Sequence, residues 1–201
     1  MQDIDLTLRQ GQFSFLIGPS GAGKTSLLRL LGLSHPASKG TVNLFGQDLA
    51  VATRAQIAHL RRRIGVVFQD FRLLDHLSAF DNIALPLRIN GADEEQIHAF
   101  VADMMDWLGL SHLTDTLPPA MSMGQRQLIA VSRAVVIRPA LLLCDEPTSN
   151  IDGDRATRVM HLLVQLNKLG TTVILATHSL DLQQRYAYGT IRMDRGRMCS
   201  A

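Results

Sequence analysis

The eight residues GPSGAGKT at Gly18–Thr25 constrain the fold of this chain more than any other feature. They fulfil the pattern GxxxxGK[ST], in which small residues let successive backbone amides point inward at phosphate oxygens while the next helix offers its positive end to the same charge. The pattern carries meaning only between a strand and a helix. Here the apolar run Phe13–Ile17 stops at Gly18, and Leu27, Leu28, Leu30 and Leu31 follow in a helical pattern. The expected unit is therefore strand, phosphate loop, helix. Gly18, Pro19, Ser20, Gly21, Ala22 and Gly23 would form the loop, Lys24 would reach the β- and γ-phosphates of ATP, and the Thr25 hydroxyl would ligate Mg2+.

Such a loop needs a carboxylate at the end of another strand, aimed at the metal. About 120 residues further on, Leu141–Leu143 lead into Asp145 and Glu146. Asp145 is the expected metal-side carboxylate. Glu146, one residue on, can face the terminal phosphate and orient or deprotonate the attacking water. Further short strands read at Val42–Phe45, Ile64–Phe68, Val173–Ala176 and Thr190–Met193, and the runs at Leu141 and Val173 are apolar enough for parallel strands covered on both faces. Helices read at Glu94–Leu108, Gln125–Val136 and Arg155–Leu169. Residues 71–134 hold no convincing strand, which predicts a helical subdomain inserted into a mainly parallel α/β core.

At 201 residues, 46% apolar and 19% charged, the chain has enough core for one compact domain over 1–201. A net charge of +2 with both signs interspersed gives no concentrated positive field, so no nucleic-acid partner is expected, and the run Arg61–Arg63 is too short to change that. No apolar run reaches the length of a bilayer span, and Asp3 and Asp5 stand where a secretion signal would be basic. Direct membrane insertion is not expected; membrane association has to come through a partner. Cys144 and Cys199 lack metal-ligand spacing and fit a reducing cytoplasm.

Three more motifs complete a series. Gln69 ends the strand pattern at Ile64, MSMGQ occupies Met121–Gln125 with the run through CDEPTSNID ending at Asp152, and Ala176, Thr177, His178 close the next strand. In this order they resemble the Q-loop, signature loop (LSGGQ), Walker B with D-loop, and switch histidine of the ATP-binding cassette (ABC) family, with GPSGAGKT as its Walker A. The resemblance covers nearly the whole chain. It implies a P-loop NTPase fold with an ABC-type ATPase core, ATP and Mg2+ as cofactors, and hydrolysis of ATP to ADP and phosphate. It also implies a homodimer on ATP binding, each nucleotide lying between Walker A of one copy and the signature loop of the other. Ser122 and the Gly124 backbone would then touch the γ-phosphate in trans, His178 would hold it and help align water, and Asp152 would connect the two sites. Gln69 would join Thr25 and Asp145 at the metal, act with Glu146 and His178 in catalysis, and couple the site to an integral membrane subunit. The residues themselves support part of this: Ser122 and Gly124 precede an apolar helix whose free amides can face an anion, and His178, like Glu146, follows a buried-looking strand.

Within the family, Val66–Leu87 resembles the bacterial cell-division branch, and DFRLL at Asp70–Leu74 is the distinguishing part. This implies a peripheral protein on the cytoplasmic face of the bacterial inner membrane, regulating peptidoglycan hydrolysis through its membrane subunit. Lipoprotein-releasing and macrolide-export cassettes share the architecture and remain the alternative. Phe71, Leu73 and Leu74, mixed with Asp70, Arg72 and Asp75, suit either a docking segment or packing of the helical insert. Two departures from the family stand out. Met123 replaces the first glycine of the signature loop, which predicts weak hydrolysis and leaves open a nucleotide-responsive scaffold. The strand pair that precedes Walker A in the family, with its base-stacking aromatic, has no counterpart; Gln2–Leu8 supplies only the strand leading to the loop.

Overall fold

The computed structural model describes residues 1–199. In chain order its elements are β1 (Phe13–Ile17), α1 (Lys24–Leu31), β2 (Asn43–Leu44), β3 (Gln47–Asp48), α2 (Arg54–Arg61), β4 (Ile64–Val67), α3 (Ala79–Ile89), α4 (Glu94–Trp107), α5 (Met123–Val135), β5 (Leu141–Asp145), α6 (Gly153–Lys168), β6 (Thr172–Ala176), α7 (Leu180–Arg185), β7 (Gly189–Asp194) and β8 (Arg197–Met198). Six strands form one sheet in the order β4-β5-β6-β1-β7-β8, parallel throughout except for the β7–β8 edge. The architecture is a mainly parallel α/β sheet with a helical insert between β4 and β5, as the sequence leads one to expect.

Alternation along the central strands divides the interior. Leu142, Cys144, Val173 and Leu175 point to one face, where they meet Ile83, Val101, Leu128, Val131, Val159 and Leu163 from α3–α6. Leu141, Leu143, Ile174 and Ala176 point to the other, against Leu27, Leu28 and Leu31 of α1 and Leu60 of α2. Both β5 and β6 are buried along their full length, with Thr172 and Asp145 the polar residues at their ends, as suits parallel strands covered on both faces. Between β4 and β5 the chain forms α3, α4 and α5, with no strand among the described residues from 71 to 134.

Several boundaries differ from expectation for local reasons. Helix α5 starts at Met123 and not at Gln125, because Ser122 accepts a hydrogen bond from the Gln125 amide while the Gln125 side chain reaches back to the Ser122 amide. The single strand expected at Val42–Phe45 is the first arm of a tight hairpin that turns at Phe45 and Gly46. Gln2–Leu8 forms no strand; the strand leading to the phosphate loop begins at Phe13. Ile4, Leu6 and Leu8 still alternate and pack against the core, but no ladder partner lies beside that segment among the described residues. No helix among the described residues is long and apolar enough to cross a membrane.

Candidate functional site

Parallel register brings the chemistry to one edge of the sheet. Leu16 lies beside Ala176, Ala176 beside Asp145, and Val67 beside Cys144, so the residues that follow β1, β4, β5 and β6 emerge together. The carboxyl ends of strands in open α/β sheets are where such folds bind ligands. At β1 the chain turns through Gly18, which passes so close to the Met193 carbonyl of β7 that a side chain there would collide with it. Gly23 then caps α1 without any side-chain hydrogen bond, leaving the first amides of that helix free of side-chain acceptors. Free amides at a helix N-terminus suit a phosphate group. The Lys24 ammonium donates to the carbonyls of Gly18 at 2.7 Å and Pro19 at 3.1 Å, and lies 3.4 Å from His178 Nε2. The cation is thus anchored by the loop that would receive the phosphates.

Beside it, Thr25 Oγ1 donates to Asp145 Oδ2 at 2.7 Å. A hydroxyl and a carboxylate are hard oxygen donors, and Mg2+ is held by one or two such groups together with water and phosphate oxygens, so the pair fits the metal. Asp145 is only 5% exposed, which limits its approach to the side facing the loop. Glu146 takes a left-handed backbone conformation, φ 51°. This turn directs its carboxylate to the end of β6, where the His178 amide donates to Oε1 at 2.9 Å and the Thr177 hydroxyl to Oε2 at 3.4 Å. Burial pushes the Glu146 carboxyl above the usual carboxylate range, opposed by the nearby His178 ring and by the hydrogen bond from its amide. A carboxylate made more basic by burial is suited to taking a proton from water.

The remaining expected residues stand on separate elements. Gln69 is exposed in the turn after β4, on the same edge as the acids. Ser122 caps α5, Met123 is its 54% exposed first residue, and Gly124 packs so closely on the Asn150 carbonyl that a Cβ would fall 2.8 Å from it. Asp152 caps α6 by accepting from the Arg155 amide at 2.9 Å. None of Gln69, Ser122, Gly124 or Asp152 hydrogen-bonds to the cluster of Lys24, Thr25, Asp145, Glu146 and His178 among the described residues. Sequence reasoning gave no role to Thr177, which is buried and contacts Glu146, nor to Asn150. Thr177 was visible only as a neighbour of His178, and nothing in the sequence marks a backbone carbonyl such as that of Asn150.

Known proteins match along most of the chain. A family model described as ABC transporter matches residues 1–149. The cell-division ATP-binding protein FtsE is 34% identical in Streptococcus pneumoniae and 36% in Mycobacterium tuberculosis, each comparison covering 98% of this chain and 86% of the relative. The methionine import ATP-binding protein MetN of Xylella fastidiosa is 38% identical over 98% of this chain, which spans only 59% of that protein's length. Among solved structures, the ATP-binding cassette MJ0796, in a dimeric post-hydrolysis state with ADP and Pi, superposes with a TM-score of 0.89 at 28% identity, covering 97% of this chain and 86% of that one. Matches of this extent, joined to motifs that converge on one sheet edge, lead to a single conclusion: the chain belongs to the ABC transporter family of ATP-binding cassette ATPases.

Proposed function

We propose that this chain is the ATP-binding and ATP-hydrolysing subunit of a bacterial cell-division complex. It acts as a homodimer on ATP binding, at the cytoplasmic face of the inner membrane, and drives an integral membrane subunit resembling FtsX that regulates peptidoglycan hydrolysis. The observation carrying this reading is DFRLL at Asp70–Leu74, directly after Gln69, where the resemblance to the cell-division branch is most distinctive. Similarity to FtsE along 98% of the chain supports it. Leu74, 37% exposed, and the exposed Asp70 give the segment an apolar anchor beside a charge, as suits docking on a membrane subunit. Purification of the tagged chain from its native membranes tests the reading: recovery of an FtsX-like subunit supports it, and recovery of a transport permease in its place rejects it.

In the proposed chemistry, the loop from Gly18 to Gly23 binds the phosphates through its amides and Lys24 neutralises their charge. Thr25 and Asp145, with Gln69, hold Mg2+, which when bound supplies further charge neutralisation. Glu146 accepts the proton of the attacking water, and His178 donates a hydrogen bond to the terminal phosphate. Ser122 and the Gly124 amide complete the partner copy's site, while Asp152 lies on the turn that joins the two. The raised affinity of Glu146 for a proton and its hold on the His178 amide support this division of labour.

Two observations favour other readings. MetN relatives are 37–39% identical, which supports a transport cassette, whether for import or for lipoprotein release or macrolide export. The exposed Met123 side chain beside Ser122 supports weak hydrolysis or a nucleotide-responsive scaffold, since it would stand against the partner copy's nucleotide. Turnover that rises several-fold in Met123→Gly would show that the methionine restrains a working enzyme; turnover unchanged in that variant removes the restraint from the account.

A further inference from the structure

Arg133, in the last turns of α5, is a half-buried cation that the proposed chemistry does not use. No carboxylate lies within ion-pair distance of it among the described residues. Its guanidinium instead donates to two successive backbone carbonyls, Phe71 at 2.8 Å and Arg72 at 2.7 Å. Burial without a counter-ion lowers its pKa to about 10. The planar guanidinium fork serves two adjacent acceptors at once, which neither a lysine nor a neutral side chain reproduces.

The two carbonyls belong to an unusual corner. Phe71 and Arg72 both lie in the left-handed region, φ 58° and 50°, which residues with a Cβ disfavour. Arg72 folds back over the Phe68 ring at 3.9 Å and contacts the Asp70 carboxylate at 3.2 Å. Just beyond, the buried Asn82 of α3 accepts from the Leu74 amide and donates to the carbonyls of Leu74 and Leu77. The segment after Gln69 is therefore held by side chains of α5 and α3, whereas Gln69 itself follows β4 and the sheet. The change of allegiance falls at Asp70.

Helix α5 is well placed to carry a displacement. Its 13 residues make a rod of about 20 Å, buried at Gln127–Ser132 and packed on both α3 and β4. Ser122 and Gly124 are at one end and Arg133 is at the other.

We propose that Arg133 is a positioning residue: it locks the corner after Gln69 onto the signature helix, so that a shift of Gln69 at one nucleotide is passed along α5 to Ser122 at the other. This rests on the reading of Gln69 and Ser122 as nucleotide contacts, but the lock itself does not.

Arg133→Lys, which keeps the charge and loses the fork, and Arg133→Gln are the variants to examine. In the nucleotide-free protein, hydrogen exchange of the segment spanning Phe71–Leu77 is expected to quicken about tenfold in Arg133→Lys, as for loss of hydrogen bonds to a charged group, with β6 and α6 unchanged. With MgATP, the change in exchange at Ser122–Gln125 is lost while that at Gly18–Thr25 is kept. Turnover falls at unchanged KM, and Arg133→Lys has no further effect in a Gln69→Ala background, since residues acting through one path are not additive. Wild-type exchange at Phe71–Leu77 in both variants would overturn the lock, and full additivity with Gln69→Ala would overturn the path. Should Arg133→Gln fail to fold, Arg133→Lys carries the same comparison. A wild-type protein that binds no ATP would overturn the site reading instead, with the nucleotide-free exchange still deciding the lock.

Discussion

Glu146 is held by groups that arrive from the next strand, and its properties follow from that. Replacing it with glutamine preserves the acceptor for the His178 amide but removes the proposed base, so ATP turnover should fall by about 10²–10⁴-fold with nucleotide binding retained; a single-turnover assay beside a binding titration measures both. The acidic limb of wild-type turnover should lie above the ordinary glutamate range, about 4.3, because in the proposed chemistry the active form is the carboxylate and burial makes it protonate sooner as pH falls. The same shift makes a statement about stability. Between the ordinary value and the raised one, the folded state holds more protons than the unfolded state, so stability declines as pH rises through that window. Thermal melts should find Glu146→Gln more stable than wild type at neutral pH, and the gain should vanish below about pH 4, where the unfolded glutamate is protonated as well. Asp145 and Glu146 were legible from their place after an apolar run. The left-handed turn at Glu146 and the grip of Thr177 were not, since both depend on where β6 lands beside β5.

Elements add a second kind of control, through their ends. Ser122 both starts α5 and is the proposed contact to the partner's phosphate, so Ser122→Ala should lower stability by about 0.5–2 kcal/mol through loss of the cap, besides any effect on turnover. Urea denaturation separates the two, because the cap acts in the protein without nucleotide. Gly124→Ala should cost about 1–3 kcal/mol by the same measurement, as the added methyl meets the Asn150 carbonyl; a urea transition unchanged from wild type would show that the loop yields freely. The phosphate-loop strand was legible to the residue because Gly18 ends it, and the α5 boundary was not, because a capping box spends two residues that carry no apolar pattern. The β2–β3 hairpin was half-read, since its second arm, Gln47–Asp48, is polar and only two residues long.

For the whole molecule, the sheet order could not be read from one sequence, yet it decides which loops meet: β1 sits between β6 and β7, so the Gly18–Gly23 loop has His178 on one side and the Met193 carbonyl on the other. The proposed dimer should appear as a doubling of mass when Glu146→Gln is given MgATP, read by light scattering, and should dissolve when the nucleotide is removed; a monomer at saturating MgATP would reject it. His178 stands at a junction: its own amide is tied to Glu146, while the chain just beyond it is loosely held. Helix α7, two residues beyond it, buries no residue, and Leu180 is 70% exposed. Segments with so few buried contacts open at little cost. Amide exchange should therefore run faster along α7 than along α6, and His178, whose own amide is tied to Glu146, borders a segment that loosens readily.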